Sequence, residues 1–153
     1  MKKMDPVFKA YFENLEALHE GYRAQIAGLT QEELDWSPGD EMNSLAVLSA
    51  HVAGAERYWI SDIVMGEESG RDRDKEFATS GVGEEILSSQ MESVLEYARE
   101  AFERMEADQL AELRTSPRDD RERTVAWWIT NLLEHTALHL GHLQITKQLL
   151  DKR

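Results

Sequence analysis

The five histidines are the residues of this chain whose type and spacing could perform chemistry. His135, His139 and His142 fall close together near the C-terminal end. An α-helix turns by about 100° per residue, so His135 and His139 lie about 40° apart and His142 about 60° beyond His139. The three imidazoles therefore share one helix face. Leu132 and Trp128 continue the same arc, so we predict that this face points toward the core.

A group of buried imidazoles predicts a metal ion. His51 and His19 also occupy inward-facing positions of apolar patterns earlier in the chain. Burying each imidazole costs desolvation, and neighbouring protonated rings repel one another. A divalent cation removes both problems, because it binds neutral imidazoles through one nitrogen each. His135 and His139 would supply two ligands from one helix, and a facing helix would supply the third.

The ligand set also predicts the kind of chemistry. Three neutral ligands leave a coordination position open, which is typical of catalytic rather than structural sites. Imidazole ligands favour Zn, Ni or Fe(II). The zincin motif H-E-x-x-H is absent, because the residues between the paired histidines are Thr136, Ala137 and Leu138. With no glutamate there to act as base, we expect the metal to activate either a water or the thiol of a substrate.

Composition excludes several other functions. The chain has 30 acidic and 17 basic residues and a formal net charge of −13, which argues against binding to nucleic acid or to anionic membranes. It has no cysteine, so any metal must be held by His, Asp or Glu and any reactive thiol must come from another molecule. No apolar run is long enough to span a membrane, and the first residues do not form a secretory leader. We therefore expect a cytoplasmic protein.

The spacing of apolar residues predicts four helices that would position the histidines. They run from about residue 5 to 28, from 44 to 66, from 84 to 106 and from 124 to 150, with Asn43 or Ser44 and Thr124 as caps. Each helix has one apolar stripe, so the predicted fold is an all-α four-helix bundle. The long connections 29–43 and 67–83 could each cross an end of the bundle, which leaves the helix order open.

The segments between the helices look like surface. Residues 67–83 are rich in glycine and charge, which predicts the longest and most mobile loop. The charge runs 71–76 and 118–123 mix both signs, and we expect them to be solvated and to bind nothing. Trp59 and Trp128 fit the core stripes, whereas Trp127 is off the stripe and faces either a neighbouring helix or a dimer contact.

Three stretches carry a resemblance to a known family: LDWSP at 34–38, SLAVLSAHVAGAE at 44–56, and the H-x-x-x-H-L-G motif at 135–141. They resemble the DinB-like superfamily of bacterial four-helix-bundle metalloproteins, which includes YfiT-like and mycothiol-dependent maleylpyruvate isomerase-like proteins. The resemblance covers nearly the whole chain and implies one domain over residues 1–153. It implies a metal triad of His51, His135 and His139, and a place for His142 behind the ligands or on the substrate side. His19 has no counterpart in the family pattern and is read as a core or pocket residue.

The resemblance also implies an activity. Members of this superfamily include metal-dependent transferases and isomerases that use a low-molecular-weight thiol such as mycothiol, bacillithiol or glutathione, and a hydrolase-like branch. The resulting hypothesis is a metal-dependent thiol transferase or hydrolase that acts on a small-molecule substrate. The alternative hypothesis is a non-catalytic metal- or ligand-binding bundle. A homodimer is compatible with both.

Overall fold

Four long helices form the body of the protein, which confirms the predicted all-α four-helix bundle. The computed structural model describes residues 3–153, so the first two residues of the predicted domain lie outside the described part. None of the helices within it is both long and apolar enough to cross a membrane. The elements are α1 (Pro6–Ile26), α2 (Gln31–Asp35), α3 (Leu45–Tyr58), a π-helical segment (Trp59–Met65) that continues α3, α4 (Arg73–Phe77), α5 (Glu84–Glu103), a 3-10 turn (Ala107–Ala111), β1 (Leu113–Thr115), β2 (Glu122–Thr124) and α6 (Val125–Leu150).

The helices that carry the histidines begin at polar caps. The backbone N–H of Val47 donates to the Ser44 hydroxyl at 3.1 Å, and that of Trp127 donates to the Thr124 hydroxyl at 3.2 Å. These bonds satisfy amides that have no partner inside the first turn of a helix. The π-helical continuation of α3 ends at Gly66, which has a positive φ of 69°. Both predicted caps and the predicted end near Gly66 are therefore confirmed.

Two clusters of buried apolar residues define the helix directions. One cluster contains the N-terminal halves of α1 and α6 and the C-terminal ends of α3 and α5, with Phe8, Phe102 and Trp128 among its members. The other contains the opposite ends of the same four helices, including Tyr22 and Leu143. Hence α1 and α6 run in one direction, and α3 and α5 run in the other.

These directions require one long crossover. Because α3 and α5 are parallel, the chain that leaves α3 must return along the bundle before α5 begins, and segment 67–83 makes this return. The 29–43 connection, by contrast, stays at one end. Short helix α4 lies within the crossover and packs on α3, capped by the Asp72 side chain, which accepts from the Lys75 N–H at 3.2 Å. The prediction that 67–83 is irregular surface is therefore wrong for α4, whose Glu76 is buried.

The polar segment after α5 is also more ordered than predicted. Strands β1 and β2 pair antiparallel, with Leu113 opposite Thr124 and Thr115 opposite Glu122, in a segment between helices that is predicted only to be surface. The indole N–H of Trp128 donates to the carbonyl oxygen of Arg114 at 3.0 Å and so joins this hairpin to the start of α6. A paired hairpin satisfies backbone groups that a loop would leave to water.

The outer face of α6 has exposed apolar side chains. Trp128 is fully buried, as predicted, but its neighbour Trp127 is 38% exposed. Leu138, Ile145 and Leu149 are also exposed on this helix. The predicted homodimer stays a prediction.

A buried polar network joins α1, α3 and α6. Glu56 is fully buried, and its Oε2 lies 2.7 Å from His19 Nε2. Its Oε1 accepts from the Thr136 hydroxyl at 2.7 Å, and the Tyr22 hydroxyl donates to the Thr136 carbonyl oxygen at 2.9 Å. A buried carboxyl group is tolerated when its oxygens are hydrogen-bonded. This network therefore holds α6 in register beside His135.

The network makes a stability prediction. Thr136→Val keeps the side-chain shape but removes a hydroxyl that donates to buried Glu56, so we expect it to lower the free energy of unfolding by about 1.5 to 3 kcal/mol. The matched control is Thr130→Val, because the Thr130 hydroxyl on the exposed side of α6 donates to the Ala126 carbonyl oxygen of its own helix. We expect that control to change stability by less than about 0.5 kcal/mol. Urea unfolding measures both, and equal losses would contradict the assigned role of Glu56.

Candidate metal centre

Three histidines from two helices meet in one cluster. His51 comes from α3, and His135 and His139 come from consecutive turns of α6. The structure brings one ring nitrogen from each within 4.8 Å of the others. The Nε2 atoms of His51 and His135 are 3.2 Å apart. Two nitrogens bound at about 2.0–2.1 Å to one tetrahedral cation are separated by about 3.3 to 3.4 Å, so this spacing fits a shared ion.

The crossover fixes the orientation of His51. The Nδ1–H of His51 donates to Glu76 Oε1 at 3.0 Å. Arg71 binds the same carboxylate with two hydrogen bonds, from Nε to Oε2 and from Nη2 to Oε1, both at 2.8 Å. With its proton held at Nδ1, His51 turns the lone pair of Nε2 toward the other two histidines. A carboxylate behind a ligand histidine is the usual way to set its tautomer and raise its basicity.

Glu76 is charged in this arrangement, and a glycine makes room for it. Burial raises the pKa of Glu76, but hydrogen bonds from Arg71 and His51 outweigh burial and bring the pKa below its usual value. Gly54 lies on α3 beneath the carboxylate. A Cβ at position 54 would overlap the Glu76 side chain. The glycine is therefore needed for the close approach of α4 to α3 rather than for a special backbone angle.

The other two imidazoles are held neutral. Burial, together with the nearby His139, His51 and Arg71, lowers the pKa of His135 to about 3. Burial and the neighbouring His51 and His142 lower the pKa of His139 to about 4. Both rings thus carry a free lone pair at neutral pH, which is the state in which a histidine binds a metal.

One ring nitrogen of His135 faces the other histidines, and the other does not. Its Nδ1 is buried and has no hydrogen-bond partner in the part of the chain that the structure describes, while Nε2 faces the nitrogen of His51. The ring of Trp59 stands edge-on to His135 at 4.7 Å, and the ring of Phe77 lies 4.7 Å from His51. Trp59, predicted as a core residue, is half-buried, packs against the core and also borders the cluster. The three-imidazole donor set fits a divalent cation.

The two remaining histidines lie outside the cluster. His142 is exposed, and its Nδ1 is 3.3 Å from Nδ1 of His139. The prediction that its helix face points to the core is wrong at this position, because the arc has already rotated to the surface. His142 instead marks the open side of the cluster. His19 belongs to the buried network with Glu56 and is a core residue.

Sequence reasoning missed the residues that support the cluster. The prediction that the 71–76 charge run is solvated and without a role is wrong for Arg71 and Glu76, because Arg71 binds the Glu76 carboxylate and that carboxylate accepts from His51. A run of mixed charges has no pattern that distinguishes a buried member from its exposed neighbours. Gly54 is the available signal, since glycine inside a helix costs about 1 kcal/mol relative to alanine and often marks a close approach.

Similarities to solved structures agree with this architecture. The fold is that of a conserved protein from Enterococcus faecalis (TM-score 0.80, 16% identity, 96% of this chain and 98% of that chain) and of a DinB-like protein from Bacillus cereus (TM-score 0.77, 14% identity, 97% and 94%). It is also similar to a variant of mycothiol-dependent maleylpyruvate isomerase (TM-score 0.68, 16% identity), covering 89% of this chain but 60% of that chain.

The class of protein is thus the DinB-like helical bundle. The family model for mycothiol S-transferase matches residues 11–152, and the chain belongs to that family. No curated protein gives a significant sequence match. The resemblance inferred from the sequence motifs is confirmed.

The lowered pKa values of His135 and His139 predict how acid affects the metal-free protein. In the unfolded chain both rings are protonated near pH 6.5. In the folded protein His139 is protonated only near pH 4 and His135 only near pH 3. The unfolded state therefore binds more protons over this interval, and the stability of the folded protein decreases as pH falls from about 6.5 to about 3. Urea unfolding at a series of pH values should show this slope, and His135→Ala should reduce it. An unchanged slope in that variant would contradict the assigned burial.

Proposed function

We propose that the protein is a metal-dependent thiol S-transferase in which His51, His135 and His139 hold a divalent cation. The convergence of three imidazole nitrogens within 4.8 Å is the observation that carries this proposal. Membership of the mycothiol S-transferase family supports the thiol. The absence of cysteine from the chain means that a reacting sulfur must arrive with a small molecule.

The residues have separate tasks in this proposal. His135 and His139 stay neutral because partial burial and their positive neighbours lower their pKa values, and Glu76 sets the tautomer of His51. Trp59 and Phe77 limit the access of water and lower the local dielectric, which strengthens electrostatic interactions at the site. A divalent cation bound there would lower the pKa of a thiol so that its thiolate is available at neutral pH.

The proposed thiol transfer needs no oxidant or reductant. The thiol releases its S–H proton to solvent on the open side, near His142. The sulfur lone pair forms a bond to an electrophilic carbon of the second substrate. The bond between that carbon and the leaving group breaks, and the leaving group departs with the electron pair and takes a proton from solvent. If water replaced the thiol, the same arrangement would perform hydrolysis.

Metal binding is the first test. Protein prepared without a histidine tag should bind one divalent ion per chain, and His51→Ala and His139→Ala should each abolish this. The matched control is His142→Ala, which removes an exposed imidazole next to His139 and should keep the ion. Elemental analysis with titration of Zn, Ni and Fe(II) measures the stoichiometry. Unchanged stoichiometry in the His51 and His139 variants would contradict the triad.

Substitutions at Glu76 and next to it should weaken metal binding to different degrees. Glu76→Ala should weaken metal affinity by about 10- to 100-fold, because the partner that orients His51 is lost. Glu76→Gln should lose less, since its amide oxygen still accepts from His51 Nδ1. Gly54→Ala should resemble Glu76→Ala, because its methyl group displaces the carboxylate. Asp74→Ala, which removes an exposed carboxylate from the same short helix, should leave affinity unchanged, and an equal loss there would indicate a nonspecific charge effect.

Thiol transfer is tested by conjugation. Mycothiol, bacillithiol and glutathione are each mixed with monochlorobimane, whose chloride is displaced by a thiol to give a fluorescent product. We expect metal-dependent acceleration with at least one of them, and a fall to the uncatalysed rate in His139→Ala. No acceleration with any thiol would reject the transferase. Metal-dependent cleavage of p-nitrophenyl acetate would then favour a hydrolase, and retained metal without either reaction would favour a non-catalytic metal-binding bundle.

A further inference from the structure

The contact between His51 and His135 needs a positive group between two ring nitrogens. Nε2 of His51 lies 3.2 Å from Nε2 of His135. If both atoms carried lone pairs, they would repel each other at this distance. A shared cation removes the repulsion. A single proton also removes it, because 3.2 Å is within hydrogen-bond distance. In protein without bound metal, one of the two rings must therefore donate an N–H to the other.

Glu76 decides which ring donates. Its carboxylate faces Nδ1 of His51 at 3.0 Å and is held by two hydrogen bonds from Arg71. A charged carboxylate can only accept, so the single proton of a neutral His51 stays on Nδ1. Nε2 of His51 then carries a lone pair and must accept as well. The proton in the contact between the two rings therefore belongs to Nε2 of His135.

The buried Nδ1 of His135 agrees with this direction of the hydrogen bond. With the proton on Nε2, only a lone pair is left at Nδ1, which is buried without a partner from any residue between 3 and 153. A doubly protonated His51 would donate in the opposite direction and force the proton of His135 onto Nδ1. That proton would be a buried donor without an acceptor. In protein interiors, such a donor is rarer than an acceptor without a donor.

Coordination through Nε2 needs the other tautomer of His135. A nitrogen that binds a cation must offer its lone pair, and a neutral imidazole then carries its proton on the second nitrogen. His135 would lose the Nε2 proton to solvent and gain one at Nδ1 from solvent, so its charge does not change. His51 needs no such exchange, because its Nε2 lone pair already points into the cluster.

We propose that the histidine cluster has a closed state, in which His135 Nε2–H donates to His51 Nε2, and that His135 must exchange its tautomer before the cluster holds a divalent cation. This inference rests on the proposed metal site. It makes His135 the ligand that controls occupancy. The exchange breaks a hydrogen bond and leaves a buried Nδ1–H for which the described part of the chain supplies no acceptor.

NMR of the histidine rings in the isotope-labelled full chain tests the closed state. Long-range correlations between ring protons and ring nitrogens distinguish the two tautomers and the doubly protonated ring. In chelator-treated protein at neutral pH, we expect the His51 proton on Nδ1 and the His135 proton on Nε2. Zinc should move the His135 proton to Nδ1 and leave the tautomer of His51 unchanged. His19 is the internal control, because it lies in the buried network with Glu56 and should not respond.

A variant at position 76 tests why the hydrogen bond has this direction. Glu76→Ala removes the acceptor that holds the His51 proton on Nδ1, so the metal-free variant should show both tautomers of His51. The matched control is Asp74→Ala, which removes an exposed carboxylate from the same short helix and should keep the tautomers of the wild type. His51→Gln and His135→Gln assign the signals of the two rings.

The cost of the exchange should also appear in zinc affinity. His135→Ala removes the ligand that has to exchange, whereas His51→Ala removes a ligand whose lone pair already faces the cluster. The truncations are chemically identical. Zinc should therefore bind to His135→Ala at least about fivefold more tightly than to His51→Ala, because only His51→Ala still has to bury an unpaired N–H. Competition with a chelating dye measures both affinities.

Different results would overturn different parts of the proposal. A metal-free His135 with its proton on Nδ1, or a doubly protonated His51, would reject the closed state. Zinc that binds to the cluster without a change in the His135 tautomer would reject the exchange and leave the metal site intact. Zinc that shifts the signals of none of the three histidines would reject the metal site itself, and the exchange with it. Zinc affinity in His135→Ala no higher than in His51→Ala would reject control by His135.

Discussion

The buried carboxylate of Glu76 is the interaction on which the candidate centre depends. A charge in a protein interior is tolerated only when its partners replace the water it loses, and Arg71 and His51 do this together. The same contacts join the crossover to α3 and set the tautomer of a proposed metal ligand. Gly54 permits them, because its missing side chain lets α4 approach. Glu76 therefore holds the crossover against α3, stays charged through its hydrogen bonds and orients His51.

Chain topology explains why such a group is available. Two parallel neighbouring helices, α3 and α5, force the connection between them to run along the bundle. That connection passes over α3, and α4 presents Glu76 to the histidine cluster. A bundle of four helices joined in sequence by short antiparallel connections would have no segment in this position. The support for the candidate centre is therefore a consequence of the crossover.

Two adjacent residues of α6 belong to different groups of polar side chains, the histidine cluster and the buried network around Glu56. His135 faces the cluster, and Thr136 faces the core, where it bonds to Glu56. Successive residues of a helix point about 100° apart, so one turn contributes to both without conflict. Anchoring the backbone through Tyr22 and Glu56 limits the movement of the histidine next to it, and a proposed ligand site needs this rigidity because metal coordination tolerates little displacement.

The sequence by itself determined the four helices, two of their caps and the histidines that meet, because helical periodicity and capping are local properties of the chain. It also determined that a reacting thiol must come from outside, since the chain has no cysteine. Only the tertiary structure decided which helices are parallel, that 67–83 runs along the bundle, that Trp59 borders the cluster and that His142 is exposed. It also decided that Glu76, in a charged run, binds His51 and that Arg71 of the same run pairs with Glu76. Burial of these groups depends on contacts between segments far apart in the chain, and no local spacing encodes such contacts.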